Sequence, residues 1–234
     1  MSPRFAEGLR RAITFVRSWF GPQILERSRP SALLPVRVVL RNGRKRLDGP
    51  TVNYSFGTLH EIFAEALRHI DLHHRAPRSV LLLGLGAGSV VALLRREHGI
   101  RAPIVAVEID AEVVRLATEH FGLRRWPDLE VAIGDALAFV ATDRRQFDLI
   151  VVDVFHDATV PAPFRQRPFL TALRERLAPG GQLLINLIVA TAAGEARLAA
   201  FEPELAAVFP DQRSMGIRSN VVFVAGKPTA DPSA

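Results

Sequence analysis

Short apolar runs alternate with amphipathic stretches along most of the chain. The runs are four or five residues long and lack a regular polar face, which is typical of parallel strands buried on both sides. They lie at 80–83, 104–107, 129–133, 149–152 and 183–187. The stretches between them repeat apolar residues every three or four positions and therefore predict helices. These helices lie at about 88–97, 111–121, 135–141, 166–177 and 194–208.

This alternation predicts an α/β fold with a Rossmann-like, doubly wound sheet. Two further strands near 213–217 and 220–225 are expected to form a closing hairpin. We therefore expect a mostly parallel sheet of about seven strands with one antiparallel strand. With 234 residues, of which 48% are hydrophobic, the chain is long enough for one sizeable core.

The first fifty residues follow a different pattern. Apolar residues three or four positions apart predict an amphipathic helix over 4–20, prolines indicate a loop over 22–35, and Asn42-Gly43 predicts a hairpin turn. The helix can pack on the body, on a second subunit or on a membrane surface, and packing is the outcome we expect. We divide the chain into a basic helix and hairpin extension (1–50), a doubly wound body (51–228) and a tail (229–234).

Charge separates the same two regions. Residues 1–47 contain eleven basic and two acidic side chains, a net charge of +9, whereas the whole chain carries +6, so the remainder carries −3. A basic segment can hold nucleic acid, anionic lipid or an acidic partner, and its simplest interpretation is a solvated face. The chain has no cysteine, which excludes disulfides, zinc–thiolate sites and a cysteine nucleophile. We expect no metal site.

A glycine-rich turn follows the first buried strand of the body. Gly84, Gly86 and Gly88 let a ligand approach the backbone, and the helix after them presents free N–H groups to it. Glu108 ends the second strand, where a carboxylate can accept hydrogen bonds from both ribose hydroxyls. The turn alone is a weak signal, because NAD-binding folds share it. In those folds, however, the third glycine comes one position later, where this chain has Ser89.

Two more acidic residues follow strands of the same sheet. Asp135 comes after the third strand, where it can receive the amino group of adenine or simply cap the next helix. Asp153 comes after the fourth strand. Together with the glycine turn and Glu108, these positions favour an adenosyl-sulfonium cofactor over a nicotinamide. Asp110, near the second strand, is interpreted as a helix cap.

At these residues the sequence resembles the spermidine synthase family of the class I S-adenosylmethionine-dependent methyltransferase fold. The resemblance runs from about residue 53 to 187 and includes the glycine turn. It also implies that Glu108 and Ile109 bind the ribose, that Asp135 and Ala136 bind the adenine, and that Asp153 is catalytic.

This sequence also departs from the family's pattern. The family's glycine turn contains an aspartate where this chain has Ala87, and its second acid after the catalytic aspartate is one residue late here, at Asp157. The family's N-terminal β-domain is reduced to about one hairpin. Loss of the carboxylate at 87 favours intact S-adenosylmethionine over decarboxylated S-adenosylmethionine, whose tail ends in an ammonium group.

We therefore expect a methyltransferase that acts on a small-molecule acceptor, with an amine as one candidate. The alternative is a polyamine aminopropyltransferase that uses decarboxylated S-adenosylmethionine. Asp153 would orient or deprotonate the acceptor, and His156 is the second candidate base unless it is an exposed loop histidine. Tyr54, His60 and Asp157 are the candidate acceptor-binding residues, although Tyr54 and His60 could instead pack at the sheet edge.

Other classes of function fit less well. The segment after the fourth strand is not the Asn/Asp-Pro-Pro-aromatic sequence of base-amino methyltransferases, and the basic N-terminus lacks interleaved aromatic residues, so we do not expect nucleic-acid binding. A non-catalytic scaffold is a further alternative. No membrane span or signal sequence is predicted, and we expect a cytoplasmic protein. A homodimer is expected because members of the family commonly pair.

Overall fold

A computed structural model describes residues 3–30, 34–50, 58–70, 72, 76–156 and 159–229. The strands are β1 (Gln23–Arg27), β2 (Arg37–Arg41), β3 (Arg44–Asp48), β4 (Val80–Leu83), β5 (Ile104–Glu108), β6 (Leu129–Ile133), β7 (Phe147–Val152), β8 (Leu177–Ile188), β9 (Arg213–Ile217) and β10 (Asn220–Gly226). The α-helices are α1 (Pro3–Arg17), α2 (Thr58–Arg68), α3 (Ser89–Arg96), α4 (Ala111–His120), α5 (Ala136–Thr142), α6 (Arg167–Arg176) and α7 (Ala192–Val208). Short 3₁₀ turns lie at Leu123–Arg125 and Ala162–Arg165.

The body is built on a seven-stranded sheet in the order β6-β5-β4-β7-β8-β10-β9. Strand β10 pairs antiparallel with β8 and with β9, while β6, β5, β4, β7 and β8 pair in parallel. The predicted fold class is confirmed, including the single strand of opposite direction. The chain winds outward from β4 in one direction to β5 and β6, and then in the other direction to β7 and β8. This reversal opens a crevice beside the carboxyl end of β4.

Helices cover both faces of this sheet, so its central strands are apolar on both sides. All four residues of β4 are fully buried. Leu81 and Leu83 pack in one core cluster with helices α6 and α7, whereas Val80 and Leu82 pack in the other with α2 and α3. Successive side chains of a strand point to opposite faces, so a continuous apolar run supplies both cores.

Strand β8 is longer than its apolar run predicted. It begins at Leu177 and passes through Pro179-Gly180-Gly181, a sequence that normally marks a turn. A register shift in the pairing between β7 and β8 absorbs this irregular segment. A Cβ on Gly181 would lie 3.0 Å from the carbonyl oxygen of Phe147, so glycine allows the two strands to approach here. The predicted helix ends agree with the structure to within about three residues.

The N-terminal region forms a separate three-stranded sheet in the order β1-β2-β3. The hairpin between β2 and β3 is confirmed, and its turn residues Asn42 and Gly43 both have positive φ angles, 49° and 70°. The loop predicted for 22–35 is wrong over Gln23–Arg27, which forms β1. Its pairing with β2 is a long-range contact that neither its composition nor its flanking prolines indicate.

A partly exposed ion-pair cluster attaches this small sheet to the body. The carboxylate of Glu26 on β1 lies 2.8 Å from Arg115 and 2.6 Å from His120, both on α4. These hydrogen bonds, first to His120 and then to Arg115, lower the pKa of Glu26. The apolar side chains of Val38, Leu47 and Leu116 pack beneath it.

Helix α1 makes little contact with the rest of the described chain. Its predicted apolar stripe is exposed along its length, and only Ser18, just after its last turn, is fully buried. The expectation that this stripe packs on the body is wrong for the described residues. Among those residues, no helix is both long and apolar enough to cross a membrane.

Candidate functional site

The candidate site begins where the glycine turn meets the end of β7. Gly84 has a φ angle of 91°, and a Cβ at this position would lie 2.2 Å from the carbonyl oxygen of Asp153. The N–H of Asp153 donates to the carbonyl of Leu83 over 2.8 Å, and the N–H of Gly84 donates to Val107 over 2.9 Å. Glycine is therefore required at 84, since any side chain would separate the three central strands.

The turn continues into the first turn of α3. Gly88 occupies the N-cap position with a φ angle of 81° and offers no side chain to the first N–H groups of the helix. A Cβ at Gly88 would lie 2.5 Å from a methyl group of Leu123. The helix therefore begins without a side-chain cap from Gly88, and the positive end of its dipole lies beside the crevice.

Glu108 closes the other side of the turn. One of its carboxylate oxygens accepts a hydrogen bond from the N–H of Gly86 over 3.0 Å, and the other accepts from Asp110 over 3.2 Å. Burial raises the pKa of Glu108, and these backbone hydrogen bonds partly oppose that effect. The side chain is only partly buried, so the carboxylate is fixed in orientation but still reachable by a ligand.

Asp153 is the second acidic group at this edge. Burial raises the pKa of Asp153 to about 7, with a smaller contribution from the negative charge of Glu108. Asn186 on β8 donates a hydrogen bond to the carboxylate over 3.0 Å, which favours the ionised form. A carboxyl group with this pKa can both accept and release a proton near neutral pH.

Asn186 belongs to a hydrogen-bonded chain that our sequence reasoning missed. Asn220 on β10 donates to the side-chain oxygen of Asn186 over 2.8 Å, and both asparagines are buried. This hydrogen-bonded series, Asn220–Asn186–Asp153, fixes the orientation of the carboxylate from the two neighbouring strands. A signal was present in the sequence, because an asparagine within the apolar run Leu183–Leu187 must find a buried partner.

Asp135 and Asp110 both cap helices. An oxygen of Asp135 accepts from the N–H of Leu137 over 2.6 Å, at the start of α5. Asp110 does the same for α4 through the N–H of Glu112, over 2.8 Å, as predicted. Asp135 is exposed at the carboxyl edge of the sheet, so capping leaves one of its oxygens available, and its role in adenine binding stays a prediction.

Two exposed apolar side chains line the same edge. Ile109, after the end of β5, is 51% exposed, and Ile133, at the end of β6, is 58% exposed. Glu108 and Ile133 are register partners on neighbouring strands. The side chains of Ile109 and Ile133 therefore lie beside Glu108, the candidate ribose-binding residue. Ala136 is buried in the core, which leaves only its backbone for contact with a ligand.

The other predicted site residues are placed less favourably or lie outside the described residues. His156 is exposed, and its N–H donates to the carbonyl of Thr159 in the loop after β7. Nε2 of His60 lies 3.0 Å from the carboxylate of Glu97 at the end of α3, which occupies that ring nitrogen. Tyr54 and Asp157 lie outside the described residues. The acceptor roles assigned to these side chains remain predictions.

The family assignment rests on a match that spans this whole site. Residues 60–188, more than half of the chain, match the model of the spermine/spermidine synthase domain. The chain belongs to the spermine/spermidine synthase domain family. The match covers the glycine turn, Glu108, Asp135, Asp153 and Asn186.

Relatives of this spermine/spermidine synthase domain protein carry two kinds of activity in their names. This chain is 34% identical over 109 residues to a probable polyamine aminopropyl transferase of Bifidobacterium longum, a match that covers 47% of this chain and 24% of the relative. It is 32% identical over 134 residues to the human eEF1A lysine and N-terminal methyltransferase, with 52% of this chain and 19% of the relative covered. The match thus spans about a quarter or less of the length of these curated relatives.

A solved structure shows the same fold. The crystal structure of human methyltransferase-like protein 13 in complex with SAH superposes on this chain with a TM-score of 0.62 and 25% sequence identity. The superposition covers 76% of this chain and 85% of that chain.

The close approach at Gly84 gives the first prediction. Gly84→Ala forces a Cβ against the carbonyl of Asp153 at a positive φ angle, so we expect the free energy of unfolding to fall by at least about 2 kcal/mol. Urea denaturation measures this change. Gly134→Ala is the matched control, because a Cβ there has no neighbour within 4 Å and should leave stability nearly unchanged. Equal stability of the two variants would contradict the geometry described for the turn.

Proposed function

We propose that this chain is an S-adenosylmethionine-dependent methyltransferase of the spermidine synthase-like group that acts on a small-molecule acceptor. The observation that carries the proposal is the meeting of a glycine turn, the N-terminus of helix α3 and two oriented carboxylates, Glu108 and Asp153, at one edge of the sheet. The relatives named above, which include a methyltransferase and an aminopropyl transferase, support transfer from an adenosyl-sulfonium cofactor.

The residues present fit such a cofactor. Glu108 would accept hydrogen bonds from the ribose hydroxyls, and the amino acid tail would lie along the glycine turn near the start of α3. The exposed faces of Ile109 and Ile133 would be covered by the flat adenine ring. Asp135 would receive the adenine amino group. When bound, the cofactor supplies an activated methyl carbon.

The environment of Ala87 favours the intact cofactor. This side chain is only 2% exposed and packs against apolar residues of the N-terminal sheet and of α4, among them Val38, Leu47 and Leu116. A carboxylate at this position would be desolvated without a partner. The glycine turn therefore has no anionic side chain to attract the ammonium tail of a decarboxylated cofactor, whereas the helix dipole suits a carboxylate tail.

Asp153 is the side chain that we place next to the methyl carbon to be transferred. Its carboxylate, oriented by Asn186, would accept the proton that an acceptor nitrogen or oxygen loses when it attacks the methyl carbon. The remaining contribution of the protein would be to hold acceptor and donor in line and to exclude water. His156, His60, Tyr54 and Asp157 stay candidates for contacts with the acceptor, and the homodimer stays a prediction.

Aminopropyl transfer is the second candidate function. The similarity to a probable polyamine aminopropyl transferase favours it, and a carboxyl group with a pKa of about 7 suits deprotonation of an attacking amine. Competition calorimetry separates the two candidates. We expect S-adenosylmethionine to bind more tightly than its decarboxylated form, because its carboxylate tail would lie at the positive end of the α3 dipole. Tighter binding of the decarboxylated form would reverse the ranking.

The ribose assignment gives a second prediction. Glu108→Ala removes charge-assisted hydrogen bonds worth about 1.5–3 kcal/mol each, so the dissociation constant for S-adenosylmethionine should rise at least about tenfold. Isothermal titration calorimetry measures it, with circular dichroism as the check on folding. Glu130→Ala, which removes an exposed carboxylate from β6, is the control and should bind normally. An unchanged dissociation constant for Glu108→Ala would mean that the ribose lies elsewhere.

The raised pKa of Asp153 gives a third prediction. Below about pH 7 the carboxyl group is protonated and cannot act as a base, so kcat/KM for the cofactor should increase as the pH rises from 6 to 8 and then level off. Methyl transfer is measured with labelled cofactor and an acceptor found by screening small amines and alcohols.

A matched variant separates this effect from changes in binding. Asp153→Asn preserves shape, so it should bind S-adenosylhomocysteine, whose sulfur is neutral, with normal affinity, lose at least about a hundredfold in kcat and give a flat profile over this pH range. Retention of normal kcat by Asp153→Asn would exclude it as the base.

A further inference from the structure

Helix α1 carries an apolar stripe that the described chain leaves uncovered. Leu9, Ile13 and Val16 lie on one side of the helix and are each about half exposed, and Phe20, just beyond it, is 88% exposed. Trp19 next to it is 61% exposed. Single apolar residues on a surface are ordinary, but a contiguous stripe of large side chains marks a surface that binds something.

Arginines lie beside and opposite this stripe. Arg10 and Arg17 are at its edge and Arg11 is on the far side of the helix; all three are exposed, and the one acidic residue of the helix, Glu7, pairs with Arg11. Positive charges at the edges of an apolar stripe that ends in Trp and Phe are typical of helices that lie in the interface of a lipid bilayer. Within the described residues, no α-helix of the body shows this combination of an exposed apolar face with arginines beside it.

The attachment of α1 leaves the stripe free to face outward. Ser18, after the end of the helix, accepts a hydrogen bond from the N–H of Gly43 on its side-chain oxygen, over 3.0 Å, and one from Asn42 on its carbonyl, over 2.9 Å. The helix is thus held at one end by the β2–β3 turn. Arg41 and Arg44 flank this turn and are exposed, so they extend the basic surface beside the end of the stripe.

The net charge of the N-terminal region indicates which kind of partner covers the apolar stripe of α1. The acidic side chains of the described N-terminal residues are already paired, Glu7 with Arg11, Asp48 with Arg46 and Glu26 with α4. Residues 1–47 carry a net charge of +9, so a second copy of α1 would bring the same excess of positive charge to the contact. An anionic surface complements this charge and an apolar layer beneath it covers the stripe.

We propose that α1 and the basic turn after β2 bind the surface of an anionic lipid bilayer, with the apolar stripe of α1 inserted between headgroups. The helix is about 22 Å long and would lie in the plane of the interface. The body, whose net charge is negative, would remain in water.

Vesicle co-sedimentation of the full chain tests this proposal. We expect at least about tenfold stronger partitioning onto mixed phosphatidylcholine–phosphatidylglycerol vesicles (about 3:1) than onto phosphatidylcholine alone, and a steep loss with added salt. Leu9→Ser combined with Ile13→Ser should weaken partitioning at least about tenfold, since it removes exposed apolar groups. The same variant should keep its cofactor affinity, which shows that the fold is intact.

Charge variants provide a matched comparison. Arg10→Gln with Arg17→Gln should weaken binding to anionic vesicles, whereas Arg144→Gln with Arg174→Gln, which removes the same charge from exposed positions of the body, should not. Trp19 is a local reporter in a Trp126→Phe background, because the chain has two tryptophans. Its emission should shift to the blue on anionic vesicles.

Two results would overturn the proposal. The first is partitioning that is absent or equal for the wild type and the Leu9→Ser/Ile13→Ser variant. The second is self-association of the wild type, seen by light scattering, that the same variant abolishes while vesicles have no effect. The latter would show that a second copy of the chain covers the stripe.

Discussion

The contact between the Gly84 backbone and the carbonyl of Asp153 is the constraint on which the site depends. It brings the turn after β4 against the end of β7, while the N–H of Gly84 holds the same turn to β5. Two carboxylates on opposite sides of β4 are therefore forced to share one crevice. Glu108 is oriented by backbone N–H groups and Asp153 by Asn186, so neither depends on a bound molecule for its position.

Most of the fold and the location of the site follow from local sequence signals. Apolar runs without a polar face could only be central strands, and acidic residues at their carboxyl ends had to meet at one edge. The parts that sequence reasoning missed depend on long-range pairing. Strand β1 is ordinary in composition and exists because β2 binds it, and β8 crosses Gly180-Gly181 because β7 supports it. Asn186 escaped notice for the same reason, since its partners come from two distant strands.

The N-terminal region connects to the site through packing as well as through charge. The small sheet buries Ala87 of the glycine turn under an apolar cluster and is tied to α4 by the ion pairs of Glu26. The same region carries the exposed stripe of α1. One short segment thus shapes the chemistry of the cofactor turn on one side and presents a basic, apolar surface on the other.

The most direct test of the account is a count of the protons released when ligand binds at pH 7, measured by calorimetry in buffers of different ionisation enthalpy. A sulfonium charge beside Asp153 would lower its pKa from about 7, so S-adenosylmethionine should release up to about half a proton. S-adenosylhomocysteine has a neutral sulfur and the same adenosine, so it should release much less, and Asp153→Asn should remove the difference. Equal proton release by both ligands would contradict the placement of the reactive sulfur next to Asp153.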